Sequence, residues 1–145
     1  MLEGNGEEMT FFKHKYFFHS IRLMLGGIFF FMGIKGFVDF NGSQAGTDVG
    51  ADFINSLMRT KFFWPFEKFL ETLFGLLLLS NRFICIAIQG LAAIIINIVL
   101  YHAFLDPKHW YLALFVLLCE IYMYLAFWKS NYKNSFVKLN IPWRE

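Results

Sequence analysis

Apolar residues in this chain gather into four long runs with few polar interruptions: Ile21–Phe40, roughly Phe62–Leu79, Phe83–Leu105 and Trp110–Trp128. Each approaches the about 20 residues that a helix needs to cross the hydrocarbon core of a bilayer. A helix on the surface of a soluble protein keeps a polar stripe along one side. Between Ile84 and Leu100 the strongly polar groups are Gln89 and Asn97 alone, which is too few for a stripe. The pattern predicts an all-α membrane protein, a single integral membrane domain over residues 1–145, folded as an antiparallel bundle of four transmembrane helices.

The breaks between runs set the connectivity. Ser80-Asn81-Arg82 separates the second run from the third, and Asp106-Pro107-Lys108-His109 the third from the fourth. Pro107 suits the first turn of the helix that follows, and links this short make neighbouring helices antiparallel. The long connection is Asn41–Lys61, which opens on the helix-stop and turn signal Asn41-Gly42-Ser43. Within it Thr47 is a candidate cap, and Val49, Phe53 and Leu57 recur at four-residue spacing. That spacing predicts a short amphipathic helix in the first outer loop, lying on the membrane surface; Gly50 is its least helical residue.

Composition sharpens the class. Hydrophobic residues make up 57% of the chain and charged residues 17%, against roughly 45–50% and 25% in soluble domains. The net charge of +2 comes without a basic, aromatic-interleaved stripe, so nucleic acid is excluded as a partner and the lipid bilayer takes its place. Cys85 and Cys119 lie inside apolar runs and form no C-x-x-C, which points to packing rather than thiol redox chemistry or a zinc site. No metal site is expected. Phosphate-binding, dinucleotide-binding, zinc-protease and serine-hydrolase motifs are all missing. His14 and His19 fall on the opposite side of the expected membrane from His102 and His109, so no haem-ligating depth is shared.

Basic residues near the segment ends set orientation. With the N-terminus inside, Lys13, Lys15, Arg22, Arg82, Lys129, Lys133, Lys138 and Arg144 are cytoplasmic, against Arg59, Lys61, Lys68 and Lys108 outside. Both termini are therefore expected in the cytoplasm, with Trp64, Trp110 and Trp128 at interfacial positions. The first run is long for a signal-peptide core and carries Lys35, so it is expected to remain as a span.

Ionisable groups inside a span are costly and need a partner or a purpose. Under this topology Lys35, Asp39, Glu67, Glu71, Asn97 and His102 fall in the outer half of the bilayer, with Glu120 near the midplane. Lys35 and Asp39 are one turn apart and able to pair. Glu67 and Glu71 share a face and need a cation nearby to ionise together, for which Lys35 is the expected partner of Glu71. Glu120 must be protonated or paired. Gly26 and Gly33 lie on the side of the first helix opposite Lys35 and offer a smooth packing surface. The ion pairs read equally well as devices that fix helix register, Asn97 as a link between helices, and His102 as an interfacial residue with its tip in water.

The run Gly26-Gly27-Ile28-Phe29-Phe30-Phe31-Met32-Gly33-Ile34-Lys35 resembles the first helix of DoxX-like membrane proteins. Trp64-Pro65 followed by Glu71-Thr72-Leu73-Phe74-Gly75 and four leucines resembles their second helix, and Asn97 with His102 is similar to the family's polar pair in the third. The resemblance covers about residues 20–130. It implies a multi-pass protein of the bacterial inner (plasma) membrane, with Lys35, Glu71, Asn97 and His102 as its functional positions. It also implies a functionally mixed family whose archetype is a subunit of a thiosulfate:quinone oxidoreductase. Three functions are expected to compete: an accessory subunit with membrane or redox partner proteins, a quinone-linked oxidoreductase component with quinone as cofactor, and a small carrier or proton pathway.

Overall fold

A computed structural model describes the backbone of residues 4–38 and 46–127 and the side chains from Tyr16 onward. Its helices are α1 (Gly4–Val38), α2 (Asp48–Arg59), α3 (Phe63–Leu79), α4 (Ile84–Phe104) and α5 (Trp110–Phe127), with a 3-10 turn at Pro107–His109. No strand occurs among the described residues. Asp39, Trp128 and the basic C-terminal residues fall outside them.

Three stretches, Tyr16–Val38, Ile84–Phe104 and Pro107–Phe127, are long and apolar enough to cross a membrane, which suggests a membrane protein. The fourth expected span falls short. α3 has 17 residues, so it rises only about 26 Å against a hydrocarbon core of about 30 Å. It also carries Glu67, Lys68 and Glu71. α1, by contrast, starts well before its apolar run. Hydropathy marks where a span begins, not where a helix does, and no proline breaks the polar residues ahead of Ile21.

Helix ends follow from local chemistry. Thr47 accepts a hydrogen bond from the Gly50 N–H at 3.0 Å and so caps α2, as its position predicts. Around α2 one arc holds Val49, Phe53, Leu57, Ile54 and Met58, and the other Asp48, Asp52, Asn55, Ser56 and Arg59. α3 ends on Asn81, whose φ of 57° is left-handed. The Asn81 N–H donates to Leu78 O at 3.2 Å and the Arg82 N–H to Leu77 O at 3.2 Å, the paired bonds of a Schellman turn. Asparagine tolerates that conformation because its short side chain bonds locally.

α1 and α3 run antiparallel in close contact. A Cβ on Gly26 would lie 3.0 Å from Leu78 Cβ, and one on Gly75 only 2.5 Å from Phe30 N. One on Gly33 would meet Thr72 Oγ1 at 2.2 Å. Small residues are what let two helix backbones approach this closely. α3 then packs on α4, α4 on α5, and α5 back on α1, closing a ring. Its core is apolar, built on Leu25, Leu78, Leu91, Ile95 and Met123, each fully buried.

At the end of the bundle away from α2, Arg22 is buried. Its guanidinium donates to Leu78 O, and to Leu79 O at 3.3 Å. A helix C-terminus leaves carbonyls unpaired and carries partial negative charge. Arg22 meets both needs, so this expected boundary charge in fact ties α1 to the end of α3.

Candidate functional site

At the α2 end of the bundle lies a cavity of about 750 Å³, within the range of small-molecule sites. α1 contributes Ile28, Phe29 and Met32 to its wall, α5 Leu112, Ala113 and Val116, and α2 Phe53, Ile54 and Leu57. These three helices offer apolar side chains only. The polar groups come from α3, with Trp64, Glu67, Lys68 and Glu71, and from α4, with Asn97, Tyr101 and His102. Met32, Leu100, Phe104 and Leu112 line the cavity and are exposed, so it reaches the surface of the bundle. α1 and α5 meet at the other end of the bundle, where the Phe17 and Tyr122 rings stand 5.1 Å apart, edge to face.

Lys68 organises the polar wall. Its Nζ lies 2.7 Å from Glu71 Oε1 and 4.6 Å from the centre of the Trp64 ring, a cation–π contact. Its stem passes over Gly36, where a Cβ would come within 2.4 Å of Lys68 Cδ. Trp64 is held in turn, since its indole N–H donates to Gly36 O at 3.2 Å. One glycine of α1 thus accepts the tryptophan and clears the path of the lysine. Glu71 is 3% exposed, and its second oxygen, Oε2, is buried with no hydrogen-bond partner among the described residues.

The expected ion pair between Lys35 and Glu71 does not form. Lys35 is exposed, on the side of α1 away from the Gly26–Gly33 surface that faces α3. Lys68, one turn before Glu71 on the same helix, takes its place. The Lys35–Asp39 pair involves Asp39 and lies outside the described residues. Glu67, Glu71, Asn97 and His102 are brought to one cavity, so the expected polar zone is drawn from two helices rather than four. Glu120 does not line it. This residue is buried on α5 one turn beyond Val116, and both its oxygens are without a partner among the described residues.

Asp106 was expected only as part of a break between helices, yet it fastens α2 over the cavity. Its carboxylate, buried at 3% exposure, accepts the Gly46 N–H at 2.7 Å and the Lys108 N–H at 3.3 Å. Thr47 Oγ1 donates to Leu105 O, and the His102 ring donates from Nδ1 to Asp106 O at 2.8 Å. Gly50 sits where a Cβ would press within 2.8 Å of the Tyr101 hydroxyl and 3.2 Å of Asp106 Cβ. The residue least suited to a helix is therefore the one that lets α2 dock. The hydrogen bond from Gly46 chiefly holds the Asp106 carboxyl below the usual aspartate range. Asp followed by Pro is a turn-capping signal visible in the sequence; the long-range partner Gly46 is not.

Comparison with models of known protein families, with curated proteins and with solved structures finds no match. The geometry of the site itself defines what it can do. It offers apolar walls for an oily body, a few polar groups on one side for a head, and an opening among exposed apolar residues.

Proposed function

We propose that this chain is a four-span integral membrane protein that binds the polar head of a membrane-soluble molecule in its α2-end cavity. In this reading α1, α3, α4 and α5 all cross the bilayer, both termini are cytoplasmic, and α2 lies on the outer surface as a lid. The short α3 is accommodated by local thinning of the bilayer or by the aromatic residues Phe62, Phe63 and Trp64 at its start. The DoxX-like resemblance adds a setting: a bacterial inner membrane, and a role as the binding or accessory subunit of a membrane redox assembly. The resemblance alone suggests a quinone as that molecule, whereas the reading itself requires only a membrane-soluble ligand with a polar head.

One observation carries the reading. A cavity of about 750 Å³ keeps its polar groups on α3 and α4 and presents only apolar side chains from α1, α2 and α5. A core shaped only for stability would fill such a space, because voids forfeit dispersion contacts.

The reading is tested in lipid nanodiscs, by mass spectrometry of molecules that co-purify with the chain and with a Val116→Trp variant. Loss of a bound amphiphile in the variant is expected, because the indole occupies the cavity. Cysteines placed at Lys61, Arg82 and Lys108 test the topology: the first and last should react from outside, and the middle one only from within. An empty cavity in the parent protein, or Arg82 and Lys108 on one side, would overturn the proposal.

A further inference from the structure

The cavity's ionisable groups are unbalanced. Glu67 and Glu71 stand one turn apart on α3 and both line it, yet the lysine on that wall, Lys68, forms its ion pair with Glu71 Oε1. Among the described residues no other ion pair is found, and Lys35, the nearest lysine in the α1 sequence, is exposed. The wall thus carries two carboxyl groups and one lysine. Glu71 adds a second sign, because its side chain is 4% exposed and its Oε2 is buried without a partner. A buried acceptor left unmade is costly, and a ligand that donates to it recovers that cost.

Some donors near this wall are engaged, while the Asn97 amide and the Tyr101 hydroxyl remain free to donate. The Lys68 ammonium is taken by Glu71, and the Trp64 N–H by Gly36 O. The His102 ring gives its Nδ1 proton to Asp106 O. Beside these donors the wall offers the carboxylate of Glu67 and Oε2 of Glu71, neither of them met by a cation of its own. Phe53, Phe63, Trp64 and Tyr101 add aromatic faces to the same cavity, and such faces attract cations.

Resting on the reading of the cavity as a binding site for a membrane-soluble molecule, we infer the chemical class of its ligand. It is a lipophilic amine, with an ammonium head hydrogen-bonded to Glu71 Oε2 and neutralising the Glu67 carboxylate. Its apolar body lies against α1 and α5. A head that only accepts hydrogen bonds, such as a quinone carbonyl, leaves Glu71 Oε2 unpaired, and an anionic head is repelled.

Four probes of similar apolar bulk decide the matter: dodecylamine, dodecanol, dodecanoic acid and decylbenzoquinone. Each is titrated into nanodiscs of zwitterionic lipid at equal mole fraction, and bound probe per protein is measured by native mass spectrometry against protein-free discs. Dodecylamine is expected to bind about tenfold or more tightly than dodecanol, with dodecanoic acid weakest. Glu71→Gln should remove most of that preference. Should Glu71→Gln fail to fold, Glu67→Gln serves, since it removes the excess charge and leaves the Lys68–Glu71 pair in place. Asp52→Asn, on the polar side of α2, removes a negative charge elsewhere and should leave the preference unchanged. Equal or tighter binding of dodecanol or decylbenzoquinone, or a preference insensitive to the Glu67 and Glu71 variants, overturns the amine assignment and leaves the cavity a binding site. Failure of all four probes to bind overturns both.

Discussion

Replacing Gly75 by alanine tests the packing that positions the site. A Cβ there would lie 2.5 Å from Phe30 N, 2.9 Å from Gly26 O and 3.0 Å from Phe30 Cα. All three are backbone atoms of α1, so no side chain can swing aside. Ordinary contact begins near 3.4 Å, and α1 and α3 must therefore separate by most of an ångström where they touch. Overpacking of this kind costs about 1–3 kcal/mol. It works against the about 1 kcal/mol that Gly→Ala gains from helix propensity. Gly27→Ala supplies the control, since a Cβ at that position meets nothing within 4 Å. Unfolding in mixed micelles with a graded denaturing detergent should rank Gly27→Ala at or above the parent protein and Gly75→Ala clearly below it. Ligand binding should weaken in Gly75→Ala as well, because the shift carries Trp64, Lys68 and Glu71, all on α3, away from Gly36 on α1. Equal stability of the two variants would refute the close α1–α3 contact.

Lys68→Met should lower stability by about 3–5 kcal/mol, because it leaves Glu71 buried with neither oxygen paired, whereas Lys35→Met should change it by no more than about 0.5 kcal/mol; equal losses in an unfolding titration would reverse the assignment of the ion pair. Glu120→Met removes a buried carboxyl that has no described partner, so stability should hold or rise by about 1–3 kcal/mol, and a marked loss would reveal a partner for that carboxyl. The Asp106 clamp should depend on pH in a definite direction. Its folded-state pKa is depressed, so its contribution is complete above the ordinary aspartate range and is lost as pH falls through the lower, folded value. Protection factors of the Gly46 and Gly50 amides, which divide out the slowing of intrinsic exchange by acid, should stay high at neutral pH and fall only on strong acidification, and Asp106→Ala should give low protection throughout. Protection of Gly46 in Asp106→Ala equal to that of the parent would show that α2 is held by other means.

Periodicity and composition were enough to determine the helical class, the boundaries of α4 and α5 to within a residue, and the capped amphipathic helix at Thr47. Those features are local: hydrophobic runs, turn chemistry and caps act over a few neighbouring residues. The polar zone was legible as a group of residues at similar depth, because rise along a helix converts sequence position to height. Which of them meet was not legible. Rotation about each helix axis decides that, and it depends on which face finds a partner. Gly26, Gly33 and Gly36 turned one face of α1 toward α3 and so carried Lys35 outward, while Lys68 reached Glu71 along its own helix. Asp106 shows the same limit, since its role depends on Gly46, far away in sequence and brought close only once α2 docks. Height along the bundle could be read from the chain, but pairing across it was settled by packing, where a single turn of a helix exchanges one neighbour for another.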